Sequence, residues 1–170
     1  YDMGGVTGVG TYPEYANQGL MHKLLIEALK HMKNHNQPIS YLYPYSIPYY
    51  RRKGWEIVSD KIVYEINDYQ LPKHRRVSGE VERVDAESEE IKKAYERFAY
   101  QTHGALLRDD LAWNEYFLWD SDDLMAAIYY NEAGFADGYI LYFIKDEIFN
   151  IKDMIFINEE ARTGLWNFIS

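Results

Sequence analysis

The sequence predicts a mixed α/β or α+β fold, and three observations carry that reading. A strand-like run rich in Gly, Val and Thr is followed by a segment of helical period and then by a short apolar run. Three later runs rich in β-branched and aromatic residues are separated by turn signals and flanked by helical patterns. The 170 residues are 47% hydrophobic and 26% charged, a globular balance that excludes a disordered or collagen-like chain.

In chain order, Gly4 to Thr11 reads as a strand of small side chains ended by Pro13. From Asn17 to Asn34 the period becomes 3.6. Leu20, Leu24, Ala28 and Met32 form one apolar row, and Met21, Leu25 and Leu29 form its neighbour. Asn17 is the expected cap, and Pro38 forbids continuation. Ile39 to Tyr43 is a short strand, Pro44 to Pro48 a loop, and Tyr49 to Lys53 one helical turn closed by Gly54. Trp55 to Ile66 reads as one or two strands.

The second part opens with a helix at about Glu87 to Tyr100, capped by Asp85, with Ile91, Ala94, Tyr95 and Phe98 on one face. A short helix at Asp109 to Leu118 follows. Strands are expected at Leu124 to Tyr130, Gly138 to Ile144 and Ile148 to Ile157, with turns at Ala133-Gly134 and Lys145-Asp146-Glu147. A last helix runs from about Asn158 to Phe168.

Charge divides the chain. Residues 1–68 carry seven Lys/Arg against seven Asp/Glu, so the net −9 resides in residues 69–170. The step lies beside a polar, Pro-bearing stretch at Asn67 to Pro72, and the domain boundary is expected there, with a linker at about 67–80. Lys73-His74-Arg75-Arg76 reads as a solvated linker in this acidic setting. An acidic chain repels phosphate, so no nucleic-acid partner is expected. The absence of Cys excludes disulfides, a thiolate nucleophile and Cys-bearing zinc sites, and fits the cytosol. No apolar run nears the roughly 20 residues needed to span a bilayer, so no membrane partner is expected. The chain does not begin with Met, and Tyr1 to Thr11 already reads as a strand, so a fragment is expected.

Several signals carry little. His31 and His35 lie at i,i+4, but Met32 stands between them and no third ligand is apparent, so no metal is expected. Asp109-Asp110, Asp120 and Asp122-Asp123 do not fit a calcium loop and read as a cap and an acidic loop. Trp113, Phe117 and Trp119 read as core or interface aromatics.

Chemistry is concentrated in the strand, loop and helix from Val6 to Lys23. A helix N-terminus presents unpaired N–H groups and a partial positive charge, and Gly19 allows close approach, so this mouth suits a phosphate or pyrophosphate. It is neither a dinucleotide fingerprint nor a P-loop. A second piece is Tyr49-Tyr50-Arg51-Arg52-Lys53-Gly54-Trp55. A tyrosine there can donate a proton to a leaving thiolate, because a phenol and a thiol have comparable pKa values.

Val9-Gly-Thr-Tyr-Pro-Glu-Tyr-Ala-Asn-Gln-Gly-Leu20 and Tyr49 to Trp55 at this spacing resemble the GNAT superfamily of N-acetyltransferases, in particular its enhanced intracellular survival (Eis) type. Ala105-Leu-Leu-Arg-Asp-Asp110, Asp137-Gly-Tyr-Ile-Leu-Tyr142 and Leu165-Trp-Asn-Phe168 extend the resemblance. It implies the C-terminal portion of a GNAT domain at 1–68 and part of a second GNAT-like domain at 69–170. It implies acetyl-CoA as co-substrate, a primary amine as acceptor and a homo-oligomer. Val9, Gly10 and Thr11 would hold the acetyl and pantetheine portion through their backbone. Asn17, Gln18, Gly19, Leu20, Met21 and His22 would hold the pyrophosphate, Tyr45 and Ser46 would flank the pantetheine arm, and Tyr50 would be the general acid. Ala16 and Asn17 stand where the family usually carries Arg, which removes a charge-assisted contact of about 1.5–3 kcal/mol. The family's third domain, whose terminal carboxylate serves as a base, has no counterpart here, so Ser170 inherits no role. The alternative is a non-catalytic CoA binder or scaffold.

Overall fold

The structure is a computed structural model that describes residues 1–118 and 123–170; Trp119, Asp120 and Asp122 lie outside the described residues. The chain forms two compact units, Tyr1–Val63 and Tyr64–Ser170.

In the first unit β1 (Met3–Val6) runs parallel to β2 (Ile39–Leu42), with Met3 opposite Ile39 and Val6 opposite Leu42. The crossover between them is α1 (Leu20–Asn34), and the short helix α2 (Ile47–Arg51) follows β2. The small side chains of β1 have a packing reason. A Cβ on Gly4 would lie 2.5 Å from the Met32 side chain, so α1 rests directly on the β1 backbone. Leu25 and Met32 are the buried residues of α1, whereas Leu20, Leu24 and Leu29 are exposed. The two expected apolar rows therefore contribute one buried residue each.

The expected strand at Gly4 to Thr11 ends at Val6, because β2 stops at Leu42 and Val9, Gly10 and Thr11 have no strand opposite them. Pro48 lies inside α2, at a helical position that spares its missing N–H. Trp55 to Ile66 forms no strand. Val58, Ile62 and Val63 are exposed there despite their strand-forming character.

The second unit has an antiparallel sheet ordered β3 (Glu80–Val84), β4 (Met125–Tyr130), β5 (Ala136–Lys145), β6 (Ile148–Phe156). Side chains alternate across it with period two. Ala126, Ile128, Tyr139 and Leu141 face α3 (Glu89–Gln101) and α4 (Asp110–Phe117), through Ile91, Ala94, Tyr95, Ala99 and Trp113. Ala127, Tyr129, Ile140 and Tyr142 face α5 (Glu159–Ile169), through Ala161 and Leu165. A sheet covered on both faces explains why β4 and β5 read as nearly continuous apolar runs. Each fully buried Ile or Leu contributes about 1.5–3 kcal/mol.

The helix starts follow capping chemistry. Ser88 caps α3 by accepting from Ile91 N at 3.5 Å. Asp85, the expected cap, instead accepts from Glu87 N at 2.8 Å in a turn before the helix. Asp109 accepts from Ala112 N and Asn158 from Ala161 N, both at 2.8 Å. The Lys145-to-Ile148 hairpin places Asp146 and Glu147 at φ 52° and 63°, the left-handed pair that a tight hairpin requires. The basic stretch after Pro72 is docked along α5: Arg75 N donates to Asn167 Oδ1 and Asn167 Nδ2 donates to Arg75 O.

Candidate functional site

Because β1 and β2 are parallel with Val6 opposite Leu42, their following loops leave the same edge of the pair. Such edges are where open α/β sheets bind ligands. The loop after β1 turns through Gly8 at φ 61°, a single 3-10 turn at Pro13–Tyr15, Asn17 at φ 62° and Gly19 at φ 73°. Gln18 Nε2 donates back to Glu14 O at 3.3 Å. Gly19, not Asn17, occupies the cap position of α1, and no side chain caps this helix. A Cβ on Gly19 would meet nothing within 4 Å, so the glycine serves the left-handed backbone rather than a lack of space.

The intrahelical ladder of α1 opens with Lys23 N donating to Gly19 O at 3.2 Å. The N–H groups of Leu20, Met21 and His22 precede it and lack intrahelical partners. No acidic residue stands in this first turn. His22 does not stand alone, for the Lys53 ammonium lies 2.8 Å from its Nδ1. The two residues are 31 positions apart, and no helical or strand spacing signals their meeting.

On the other side, Tyr43 and Tyr45 are exposed in the loop after β2. Ser46 precedes α2 without a capping bond from its side chain. Tyr50 is 6% exposed, with its ring edge-on to Tyr49 at 5.4 Å and to Trp55 at 6.1 Å. Trp55 Nε1 donates to Ser40 Oγ at 3.3 Å, which ties this aromatic group to β2. Tyr50 is thus held by its aromatic neighbours within α2, which starts at Ile47, two residues before the expected turn at Tyr49 to Lys53. Val9, Gly10 and Thr11 lie in irregular backbone outside any ladder.

The second unit holds a part-buried ionic group that sequence reasoning missed. The Arg108 guanidinium lies over the rings of Tyr95 at 3.9 Å, Trp113 at 4.6 Å and Tyr116 at 3.9 Å. It lies 4.0 Å from Asp153, whose Oδ2 accepts from Tyr139 OH at 3.0 Å and Tyr116 OH at 3.1 Å. Burial, and then the Asp153 charge, push the Tyr139 phenol far above its ordinary value. This group bonds α3, α4 and β6 together and has the character of a structural core. Among the described residues, no cluster of three or more His, Asp or Glu could hold a metal. No helix among them is long and apolar enough to cross a membrane.

Residues 1–58 match a family described as an acetyltransferase (GNAT) domain, and residues 104–170 match a second family of the same description. The fold is that of the GNAT acetyltransferases. Among solved structures, the chain is similar to a conserved protein of unknown function and probable N-acyltransferase from Enterococcus faecalis V583. Identity is 28% and the TM-score 0.81, over 98% of this chain and 43% of that one. It is also similar to a GCN5-related N-acetyltransferase from Kribbella flavida, at 22% identity and TM-score 0.61, over 98% of this chain and 41% of that one. The chain spans less than half the length of either protein. No curated protein matches it.

Proposed function

We propose that the chain takes part in N-acetyl transfer from acetyl-CoA to a primary amine of aminoglycoside or lysine type, with the Eis type as the specific branch. The observation that carries the reading is the uncapped opening of α1 at Gly19, beside two loops that leave one edge of a parallel strand pair. Unpaired N–H groups, a left-handed glycine and a first helical turn without an acid suit the phosphate end of the co-substrate.

In this reading Asn17, Gln18, Gly19, Leu20, Met21 and His22 cradle the pyrophosphate. Val9, Gly10 and Thr11, free of a sheet partner, offer backbone groups to the pantetheine and the acetyl carbonyl. Tyr45 and Ser46 flank the arm. The neutral amine nitrogen attacks the thioester carbon and forms a tetrahedral oxyanion, which backbone donors stabilise. The C–S bond then breaks, the sulfur takes the Tyr50 phenolic proton, and the acylated nitrogen releases its proton to water.

Tyr50 is also well packed, and its burial favours a second reading, a CoA binder without turnover. Tyr50→Phe separates the two because it keeps the ring and deletes the hydroxyl. A general acid should lose on the order of 10²–10⁴-fold in kcat with CoA binding retained. An unchanged kcat would remove Tyr50 from the chemistry, and no turnover in the parent protein would leave the binder.

A further inference from the structure

The helix α2 has five residues and no side-chain cap, too few for a helix to hold itself in water, so its geometry comes from what it is tied to. Its end is a Schellman turn. Trp55 N donates to Tyr50 O at 3.2 Å, Gly54 N donates to Arg51 O at 3.1 Å, and Gly54 takes φ 101°, a conformation that glycine adopts without strain. This motif brings the residue after the glycine back onto the last turn, and here it sets the Trp55 indole edge-on to the Tyr50 ring. Arg51 bridges the same turn, with its Nε 3.0 Å from both Glu56 carboxylate oxygens.

The indole is itself tethered. Its Nε1 donates to Ser40 Oγ in β2, at the position opposite Gly4 of β1. Trp55 therefore has one hydrogen bond to the backbone of Tyr50 and one to the strand pair, and it is the joint between the two. Tyr50 is held differently. Its ring is buried, and among the described residues its hydroxyl has no hydrogen-bond partner. The clamped ring therefore decides where the phenolic proton is offered.

We infer that Trp55 is a positioning residue for Tyr50: the indole, anchored on Ser40, fixes the phenol relative to the edge of β1 and β2 where the two loops leave. This rests on the acetyl-transfer reading above, in which Tyr50 protonates the leaving sulfur. It adds Trp55 and Ser40 to that reading, both acting through Tyr50 rather than on the reactants. A proton donor works only within hydrogen-bond reach of the atom it protonates, and a displacement of about 1 Å can cost on the order of 10²-fold in rate. Loosening the tether therefore lowers the rate and leaves co-substrate binding by the loop after β1 in place.

Steady-state kinetics with acetyl-CoA, and with kanamycin or lysine amide as the amine, test the inference. The proteins are the parent chain, Ser40→Ala, Ser40→Thr, Trp55→Phe, Tyr50→Phe, and Ser40→Ala combined with Tyr50→Phe. Ser40→Ala deletes only the acceptor hydroxyl. It should lower kcat on the order of 10-fold with KM for acetyl-CoA within about 2-fold of the parent's. Ser40→Thr keeps an Oγ acceptor and should restore most of the rate. Trp55→Phe keeps a ring beside Tyr50 without the N–H and should fall with Ser40→Ala, which reads the same contact if Trp55→Phe does not fold. The combined variant shows whether the tether acts through Tyr50: with the phenol gone, Ser40→Ala should cost nothing further in kcat. A loss that persists in full in the Tyr50→Phe background belongs to the fold at large and overturns the inference. A Ser40→Ala kcat equal to the parent's, with Tyr50→Phe impaired, also overturns it and leaves the general-acid reading standing. An unimpaired Tyr50→Phe, or a parent chain that acetylates neither amine, overturns both.

Discussion

The ring of Tyr129 occupies the space that a side chain on Gly164 would need: a Cβ there would lie 2.3 Å from Tyr129 Cδ2. Tyr129 is fully buried between β4 and α5, and its hydroxyl accepts from Gly79 N at 3.0 Å. Gly79 is equally constrained, since its Cβ would lie 2.0 Å from Tyr130 O. Two glycines thus give one tyrosine its seat. Gly164→Ala should destabilise the second unit, because overpacking costs about 1–3 kcal/mol and outweighs the roughly 1 kcal/mol that Ala gains in a helix interior. Urea denaturation should show a lower midpoint, and an unchanged or higher midpoint would mean that the ring shifts without cost.

A second prediction concerns Asp137, a buried carboxylate at the start of β5. Its Oδ2 accepts from Asn131 Nδ2 at 2.8 Å and Asn158 Nδ2 at 2.9 Å, and its Oδ1 lies 3.1 Å from Arg97 Nη2 in an ion pair whose angle falls outside hydrogen-bond geometry. One side chain thereby joins α3, the β4–β5 turn and the cap of α5. Asp137→Ala strands both amides and should cost about 2–4 kcal/mol, since Arg97 is part-exposed and recovers water. Asp137→Asn keeps one acceptor and should cost about half as much. Equal thermal midpoints for parent and Asp137→Ala would show that the node holds nothing.

The legible parts of the sequence are those where local chemistry and tertiary packing agree. The span of α1 follows from its periodicity and Pro38, and β4 to α5 follow from apolar runs punctuated by left-handed turns and Asn158. Elements that depend on a neighbour were not legible. Val9 to Thr11 and Trp55 to Ile66 have strand-like residues but no strand to pair with in the first unit. The converse holds for β3, whose Glu80, Glu82 and Arg83 disguise an edge strand that packs inward through Val81 and Val84. At the candidate site the glycine-marked loop and Tyr50 were readable from motif spacing. The Lys53–His22 contact was not, because it joins residues 31 apart through the crossover.

Proton linkage gives a third prediction, with opposite signs at the two ends of the pH scale. Burial, then the hydrogen bond to Glu90 at 2.6 Å, raises Tyr130 to about 12. Its folded pKa exceeds the unfolded value of about 10, so its stabilisation is complete below pH 10 and is lost as pH rises toward 12. Glu160 has the reverse sign. Hydrogen bonds from the Ser78 hydroxyl and then its N–H lower its pKa, so its contribution is present above the ordinary carboxylate range and fades as acid protonates the folded state. Tyr130→Phe should flatten the alkaline limb of stability against pH, and Glu160→Gln the acid limb. Limbs that coincide with the parent's would refute the linkage at that residue.

The cage around Arg108 raises the question of which force holds it. An ion pair at 4.0 Å is loose, whereas three aromatic faces lie within 4.6 Å of the guanidinium carbon. Arg108 Nη1 is buried without a hydrogen-bond acceptor, so π-faces stand where carbonyl oxygens usually would. The cation–π contribution reaches about 2 kcal/mol when the cation is desolvated. Arg108→Met fills most of the volume but forfeits this term and strands the Asp153 charge, and should cost about 2–4 kcal/mol. Asp153→Asn still accepts from Tyr116 and Tyr139, and should cost about 1–2 kcal/mol. The double variant should be more stable than the sum of the single losses predicts, because the charge stranded by Met is then absent. Strict additivity in the unfolding free energies would mean that Asp153 does not sense Arg108, leaving the three rings as the whole of its anchorage.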